Sequence, residues 1–118
     1  MSPRKVGAVA HLVRGRTVAD ALTILEHTPR RAALPVIKTI KSAAANATHN
    51  HNYKEDGLRI VEITVNHGPR TKRFRPAAMG RALPYQKRSS HIRVVVEGEQ
   101  RAVAKPKAEK PAKEEEKK

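Results

Sequence analysis

Cysteine and tryptophan are absent from the chain, and its only other aromatic rings outside histidine are Tyr53, Phe74 and Tyr85. Without cysteine there is no disulfide framework and no thiolate metal site, and the composition suits a reducing compartment. So few rings cannot supply the row of platforms on which proteins stack long single-stranded nucleic acid. No apolar run approaches the roughly 18 residues of a membrane span, and the opening MSPRKVGAVAHLV lacks a signal peptide's apolar core and cleavage site. A soluble, unexported protein with no membrane partner is expected. Large core formers are sparse as well: Val, Ile, Leu and Phe total 24 of 118 residues, near the composition at which chains stop folding. One small domain with an unfolded portion is the expectation.

Negative charge is scarce in a patterned way. Lys and Arg number 25 against 11 Asp and Glu, for a net charge of +14 and a pI near 10.8. From Ile63 to Val96 no acidic residue occurs, while Arg70, Lys72, Arg73, Arg75, Arg81, Lys87, Arg88 and Arg93 supply positive charge. Such a self-repelling stretch needs an anionic partner. Residues 99–118 differ: Lys, Glu, Ala and Pro dominate, Val103 is the one large aliphatic, and Pro106 and Pro111 interrupt any helix. Nothing there offsets the entropy of ordering, so a disordered tail over 99–118 is expected beyond a folded unit of residues 1–98.

Within that unit, Ser2 reads as an N-cap and Pro3 as a first helical residue, after which Val6, Val9, Ala10 and Val13 form a helical stripe up to Gly15. Thr17 and Asp20 have the spacing of a capping box, with Val18, Ala21, Leu22 and Leu25 as the second stripe. Thr28-Pro29 reads as the cap of a third segment carrying Ala33, Val36, Ile37, Ile40, Ala44 and Ala47, and Pro35 inside it predicts a kink or a late start. The period then changes. Leu58 to Val65 reads as a strand with Val61, Ile63 and Val65 on one face and Ile60, Glu62 and Thr64 on the other; Ile92, Val94 and Val96 form a second strand. Between them, residues 68–91 carry three prolines and no helical stripe, too long for an idle loop. An antiparallel ribbon turning at Met79-Gly80 is predicted, each arm projecting roughly 30 Å. A lone hairpin with so few apolar groups is marginal in water, so a surrounding polyanion is expected to hold it in shape. The fold class is α+β: three helices packed on a small antiparallel sheet with a long protruding β-hairpin.

Catalytic and metal chemistry find no support. His49, His51, His67 and His91 have no cysteine and little carboxylate beside them, and they read better as loop or RNA-contacting side chains than as metal ligands. Ser89, Ser90 and His91 are adjacent in a strand-like segment and point alternately, so they form no nucleophile and base pair. There is no Gly-rich phosphate loop. Neither an enzyme, a cofactor nor a small-molecule substrate is expected. Arginine predominates in the ribbon, and its planar fork suits phosphate and the shape of folded nucleic acid.

SPRKV at 2–6, LVRG at 12–15, ALTIL at 21–25, KSAAANATHN at 41–50, GPRTKRFRP at 68–76, GRA at 80–82 and KRSSHIRVVV at 87–96 together resemble the family of the universal large-subunit ribosomal protein twenty-two. The resemblance runs in order over residues 2–97. It implies a cytoplasmic ribosomal protein, in a bacterial or organellar ribosome, that binds large-subunit ribosomal RNA and supports assembly. It also implies that the hairpin lines the polypeptide exit tunnel, with neighbouring ribosomal proteins and, transiently, the nascent polypeptide as further partners. Carried onto this chain, it makes Arg70, Lys72, Arg73, Arg75, Arg81, Lys87, Arg88 and His91 hairpin RNA contacts. Met79, Gly80, Arg81 and Ala82 become the tunnel tip, and Arg4, Lys5, Lys41, Asn46, His49 and Asn50 the RNA face of the body. Other members carry a strand ahead of the SPRKV segment, so the expectation is either a sheet without that edge strand or a recorded start that falls late. Ala77 stands where a basic residue is usual, Leu83-Pro84 replaces a polar pair, and Gly7 and His11 replace charged residues. The alternative from another class is a DNA-bending architectural protein whose basic ribbon enters a minor groove, normally as a dimer with two arms. A cationic membrane-active protein would require a strongly amphipathic basic helix.

Overall fold

The computed structural model describes residues 1–101. In chain order these form α1 (Pro3–Val13), α2 (Val18–Glu26), α3 (Ala33–His51), a 3₁₀ turn at Glu55–Gly57, β1 (Arg59–Pro76), a 3₁₀ turn at Ala78–Gly80, and β2 (Ala82–Glu97). The expected tail lies outside the described residues except at its start.

The helical stripes are the core. Val6, Val9, Ala10 and Val13 of α1, Val18, Ala21 and Leu25 of α2, and Ala33, Val36, Ile40 and Ala47 of α3 are buried together with Leu58, Ile60 and Ile63. Pro3 opens α1, but the Ser2 side chain makes no capping bond. The Asp20 amide donates to the Thr17 hydroxyl at 3.3 Å, as the capping spacing predicts. Thr28 does not cap α3: its hydroxyl donates back to the Ile24 carbonyl at 2.7 Å and so finishes α2. The third helix starts late, with Pro35 in its first turn where a missing N–H costs nothing. It ends at Asn52 in the left-handed region, whose φ of 54° a short amide side chain tolerates.

β1 and β2 form a two-stranded antiparallel sheet whose pairing runs without interruption from Arg59↔Glu97 out to Pro76↔Ala82, apart from two register shifts. The ribbon is therefore the continuation of the sheet, not a separate hairpin between two short strands. The first shift lies at Val61, because Ile60 pairs with Val96 and Glu62 with Val95. One extra residue there reverses the expected alternation. Ile60 and Ile63 both face the helices, at 0% and 1% exposure, and Val61 is turned out to solvent. The second shift lies between His67 and Arg70. There Gly68 approaches Ser89 so closely that a Cβ would sit 3.0 Å from its carbonyl carbon, and the Ser89 hydroxyl donates to the Pro69 carbonyl.

The sheet base is covered along its β1 edge and tied down beyond the end of β2. The α1–α2 connection runs along β1: Gly15 N–H donates to the Ile60 carbonyl at 3.0 Å, Ile60 N–H to Arg16 at 2.9 Å, and Val18 N–H to Leu58 at 2.9 Å. Beyond β2, Lys54 N–H donates to the Glu99 carbonyl at 2.9 Å and Arg101 N–H to Asn52 at 2.7 Å. Glu99 to Arg101, assigned to the tail by composition, are thus tied to the end of α3 by backbone bonds. From Arg70 to Pro76 and from Ala82 to Arg88 no residue of the ribbon is buried, so this part of the sheet projects from the helical body.

Candidate nucleic-acid interface

At the junction of body and hairpin, Ser2, Pro3 and Arg4 from the start of α1 face Val65, His67 and Arg88 from the sheet across a cleft of about 500 Å³. His67 follows Ile63 and Val65, and Arg88 follows Ile92 and Ser90, in the two-residue alternation of their strands, which places both on the face on which the helices pack; the bulge then returns Arg70 to that face. The first turn of α1 contains no acidic residue and instead carries Arg4 and Lys5, both exposed. A helix N-terminus favours negative charge, so two cations there are unfavourable unless an anion sits among them.

Outward from this cleft the register sorts the hairpin into two faces. On the face continuous with the core lie the pairs Arg70↔Arg88, Lys72↔Gln86, Phe74↔Pro84 and Pro76↔Ala82. On the other lie Thr71↔Lys87, Arg73↔Tyr85 and Arg75↔Leu83. The Arg75 guanidinium rests over the Tyr85 ring at 4.8 Å, which shields part of that ring and holds the cation outward. No hairpin residue from Pro69 to Pro76 is even half-buried. Among the described residues the single ion pair is Lys54–Glu99, 3.2 Å apart on the body. The hairpin cations therefore have no carboxylate partner within the described chain.

The turn is closed by the Ala77 N–H donating to the Arg81 carbonyl at 2.8 Å. Met79 and Gly80 both adopt positive φ, 61° and 67°, which places the reversal where the sequence predicts it. Met79 is 95% exposed, the most open large apolar side chain of the described residues.

Of the residues expected on the body, Arg4 lines the junction cleft, and Lys5 is exposed beside it in the first turn of α1. Lys41 and His49 line a separate groove of about 560 Å³ between α2, α3 and the 3₁₀ turn, where Glu55 and Asp56 oppose them. Asn46 and Asn50, one helical turn apart, are exposed on α3. His91 pairs with Asn66 on the outer face of β2, and His51 packs edge-on against Tyr53 at 6.5 Å. The histidines are therefore dispersed over the body, the sheet base and α3. Sequence reading missed the grouping of Arg4, His67 and Arg88 around one cleft, because nothing local links the start of α1 to the face of the sheet that carries the other two.

Residues 1–97 match the family described as Ribosomal protein L22p/L17e. Over 96 residues the chain is 53% identical to the large ribosomal subunit protein uL22 of Desulfitobacterium hafniense, covering 81% of this chain and 84% of that protein. The uL22 of Clostridioides difficile is likewise 53% identical over 96 residues, 81% of this chain and 86% of its own length. That of Latilactobacillus sakei is 52% identical over 96 residues, covering 81% and 82%.

Proposed function

This chain belongs to the ribosomal protein L22p/L17e family, and from that premise we propose that it binds large-subunit ribosomal RNA through the junction cleft and the hairpin, supports subunit assembly, and presents its hairpin tip to the polypeptide exit tunnel. As a member of the family it is a structural protein of the large ribosomal subunit and not an enzyme. No helix of the described residues is long and apolar enough to cross a membrane.

One observation supports the finer reading above all others: a two-stranded ribbon without acidic residues leaves the body at a cluster of cations and has no core beneath it. A hairpin of that kind is marginal in water, and phosphates packed along it supply what a core would. The junction cleft takes a phosphate between Arg4 and Arg88, at the positive end of the α1 dipole. Arg73, Arg75 and Lys87 track a second strand of backbone on the outer face. The tip carries Arg81 as its one cation, and its small residues, Ala77, Ala78, Gly80 and Ala82, suit a narrow lumen through which a nascent polypeptide passes. Residues 1–98, with the hairpin at 68–91, form the RNA-binding unit. Neighbouring ribosomal proteins complete its surroundings in the cytoplasmic ribosome.

Sucrose-gradient sedimentation of cell extract tests this. The protein is expected in the large-subunit and whole-ribosome fractions and to leave them only at high salt. Sedimentation with chromosomal DNA as a dimer, away from ribosomal particles, would overturn it. A bulky insertion after Gly80 is expected to leave incorporation intact while altering passage of peptides or lumen-bound drugs.

A further inference from the structure

We propose that Lys72, Phe74, Pro84 and Gln86 form a subsite for a single unpaired nucleotide of the bound RNA, with Phe74 as the platform on which its base stacks. The proposal rests on the reading of the hairpin as an RNA-binding element and names one contact within it.

Phe74 is the only phenylalanine of the chain and is 70% exposed. Tyr85 is on the opposite face and already covered by a guanidinium, so Phe74 is the one ring on its face with a free π surface. Directly across the ladder lies Pro84, whose rigid ring fixes the neighbourhood without competing for hydrogen bonds. The next rung toward the body on the same face is Lys72 opposite Gln86, both exposed. Two residues along a strand span about 6.6 Å, a distance comparable with the reach from the base of a nucleotide to its own phosphate. The Lys72 ammonium is thus placed for the phosphate when the base lies on Phe74. The Gln86 amide, with a donor and an acceptor side by side, is placed for the edge of the base. Farther in, Arg70 and Arg88 continue the positive charge on the same face.

That charge selects the occupant. An apolar protein surface would cover Phe74 but would leave Lys72, Arg70 and Arg88 facing it without an anion, whereas a nucleotide satisfies ring and cations together. The scarcity of aromatic residues excludes a row of stacked bases, and it leaves room for one such position.

The absence of tryptophan makes the test direct. Phe74→Trp gives the full-length chain its only indole, and Tyr85→Trp gives a matching probe on the other face. Each variant is titrated with isolated bacterial large-subunit ribosomal RNA, with binding followed separately by anisotropy of a labelled RNA. Stacking is expected to quench the Phe74→Trp emission several-fold at saturation and the Tyr85→Trp emission much less. Phe74→Ala is expected to weaken association on the order of tenfold without changing its salt dependence, whereas Lys72→Ala flattens the salt dependence. If RNA saturates the protein while the Phe74→Trp emission is unchanged, or shifts to the blue without quenching, the subsite is wrong and the RNA-binding reading stands. Lack of any salt-dependent association overturns both.

Discussion

The inner and outer halves of the β1–β2 ribbon share one ladder and one pair of strands, yet they rest on different physics. In the inner half the pairs Ile60↔Val96, Ile63↔Val94 and Val65↔Ile92 lie against three helices. In the outer half the same face carries Arg70↔Arg88, Lys72↔Gln86 and Phe74↔Pro84, with nothing packed over them. Backbone pairing is common to both, so it cannot be what makes one half a folded body and the other a probe extended from it. Burial is the difference, and the Gly68–Pro69 bulge marks where it ends. The outer half is free to answer to an external surface because the fold asks nothing of its side chains.

The sharpest way to break that comparison is to truncate one large apolar residue in each half. Ile60→Ala or Ile63→Ala is expected to cost about 2–5 kcal/mol, enough to unfold much of a domain this small at room temperature. Phe74→Ala is expected to fall within about 0.5 kcal/mol of the parent. Urea unfolding followed by far-UV circular dichroism measures both. Equal losses would mean that the outer half belongs to the cooperative unit and that the division at the bulge is false.

A somewhat smaller effect is expected at the division itself. Gly68 lies against the Ser89–Ser90 backbone, where an added Cβ would come within 3.0 Å. Gly68→Val forces the two strands apart at the bulge and is expected to cost about 1–3 kcal/mol, the range for overpacking a tight site. Its signature should differ from that of a core truncation. Amide exchange should quicken from Arg70 to Arg88 while Arg59 to Asn66 keep their protection, since the helices still cover the inner half.

What was legible in the sequence follows the same division. All three helical stripes could be read because a 3.6-residue period is a property of one segment alone. The outer ribbon was legible from what it lacks, acid and apolar periodicity, and its turn from Met79-Gly80 at the midpoint. The faces of β1 were not. A single extra residue at Val61 brings Ile60 and Ile63 to the same side, and whether a strand takes up a bulge depends on the register of its partner, which the strand's own residues do not state. The edge cover from Gly15–Val18 and the tie of Glu99–Arg101 to the end of α3 were equally hidden, because backbone amides make those bonds and any residue but proline offers one. As for the interface, the charges could be counted from the sequence, but their grouping could not. Arg4 and Arg88 meet only because α1 lies across the sheet.

In the outer half, charge should matter for binding where it does not for folding. Arg73→Ala, Arg75→Ala and Lys87→Ala are each expected to leave urea unfolding nearly unchanged. Each should also lower the slope of log affinity for ribosomal RNA against log salt by up to about 0.7–0.9 for every phosphate it leaves without a cation. Lys38→Ala on α3, outside both clefts and the hairpin, should leave that slope alone. Equal slopes for the two classes would show that the ribbon cations act only through net charge.

The smallest effect is expected at the tip. Met79 holds a φ of 61° and ψ of 35°, a conformation in which an L side chain crowds its own backbone at a cost of about 1–2 kcal/mol. Glycine at that position removes the crowding but also gains freedom in the open chain, worth about 0.5–1 kcal/mol, so Met79→Gly should stabilise the closed turn by the difference, about 0.5–1 kcal/mol. A β-branched side chain tolerates the left-handed region worse than methionine, so Met79→Val should open the turn. Exchange of the Ala77 and Arg81 amides, which close the turn, reads both changes: about two- to fivefold slower in the glycine variant, as that free energy implies, and faster in the valine variant. Neither should move the urea midpoint, because the tip lies beyond the bulge and contributes nothing to the buried cluster. A shift of that midpoint in either variant would mean that strain at the turn is felt along the whole ladder, and that the outer half is less independent of the body than its exposed side chains imply.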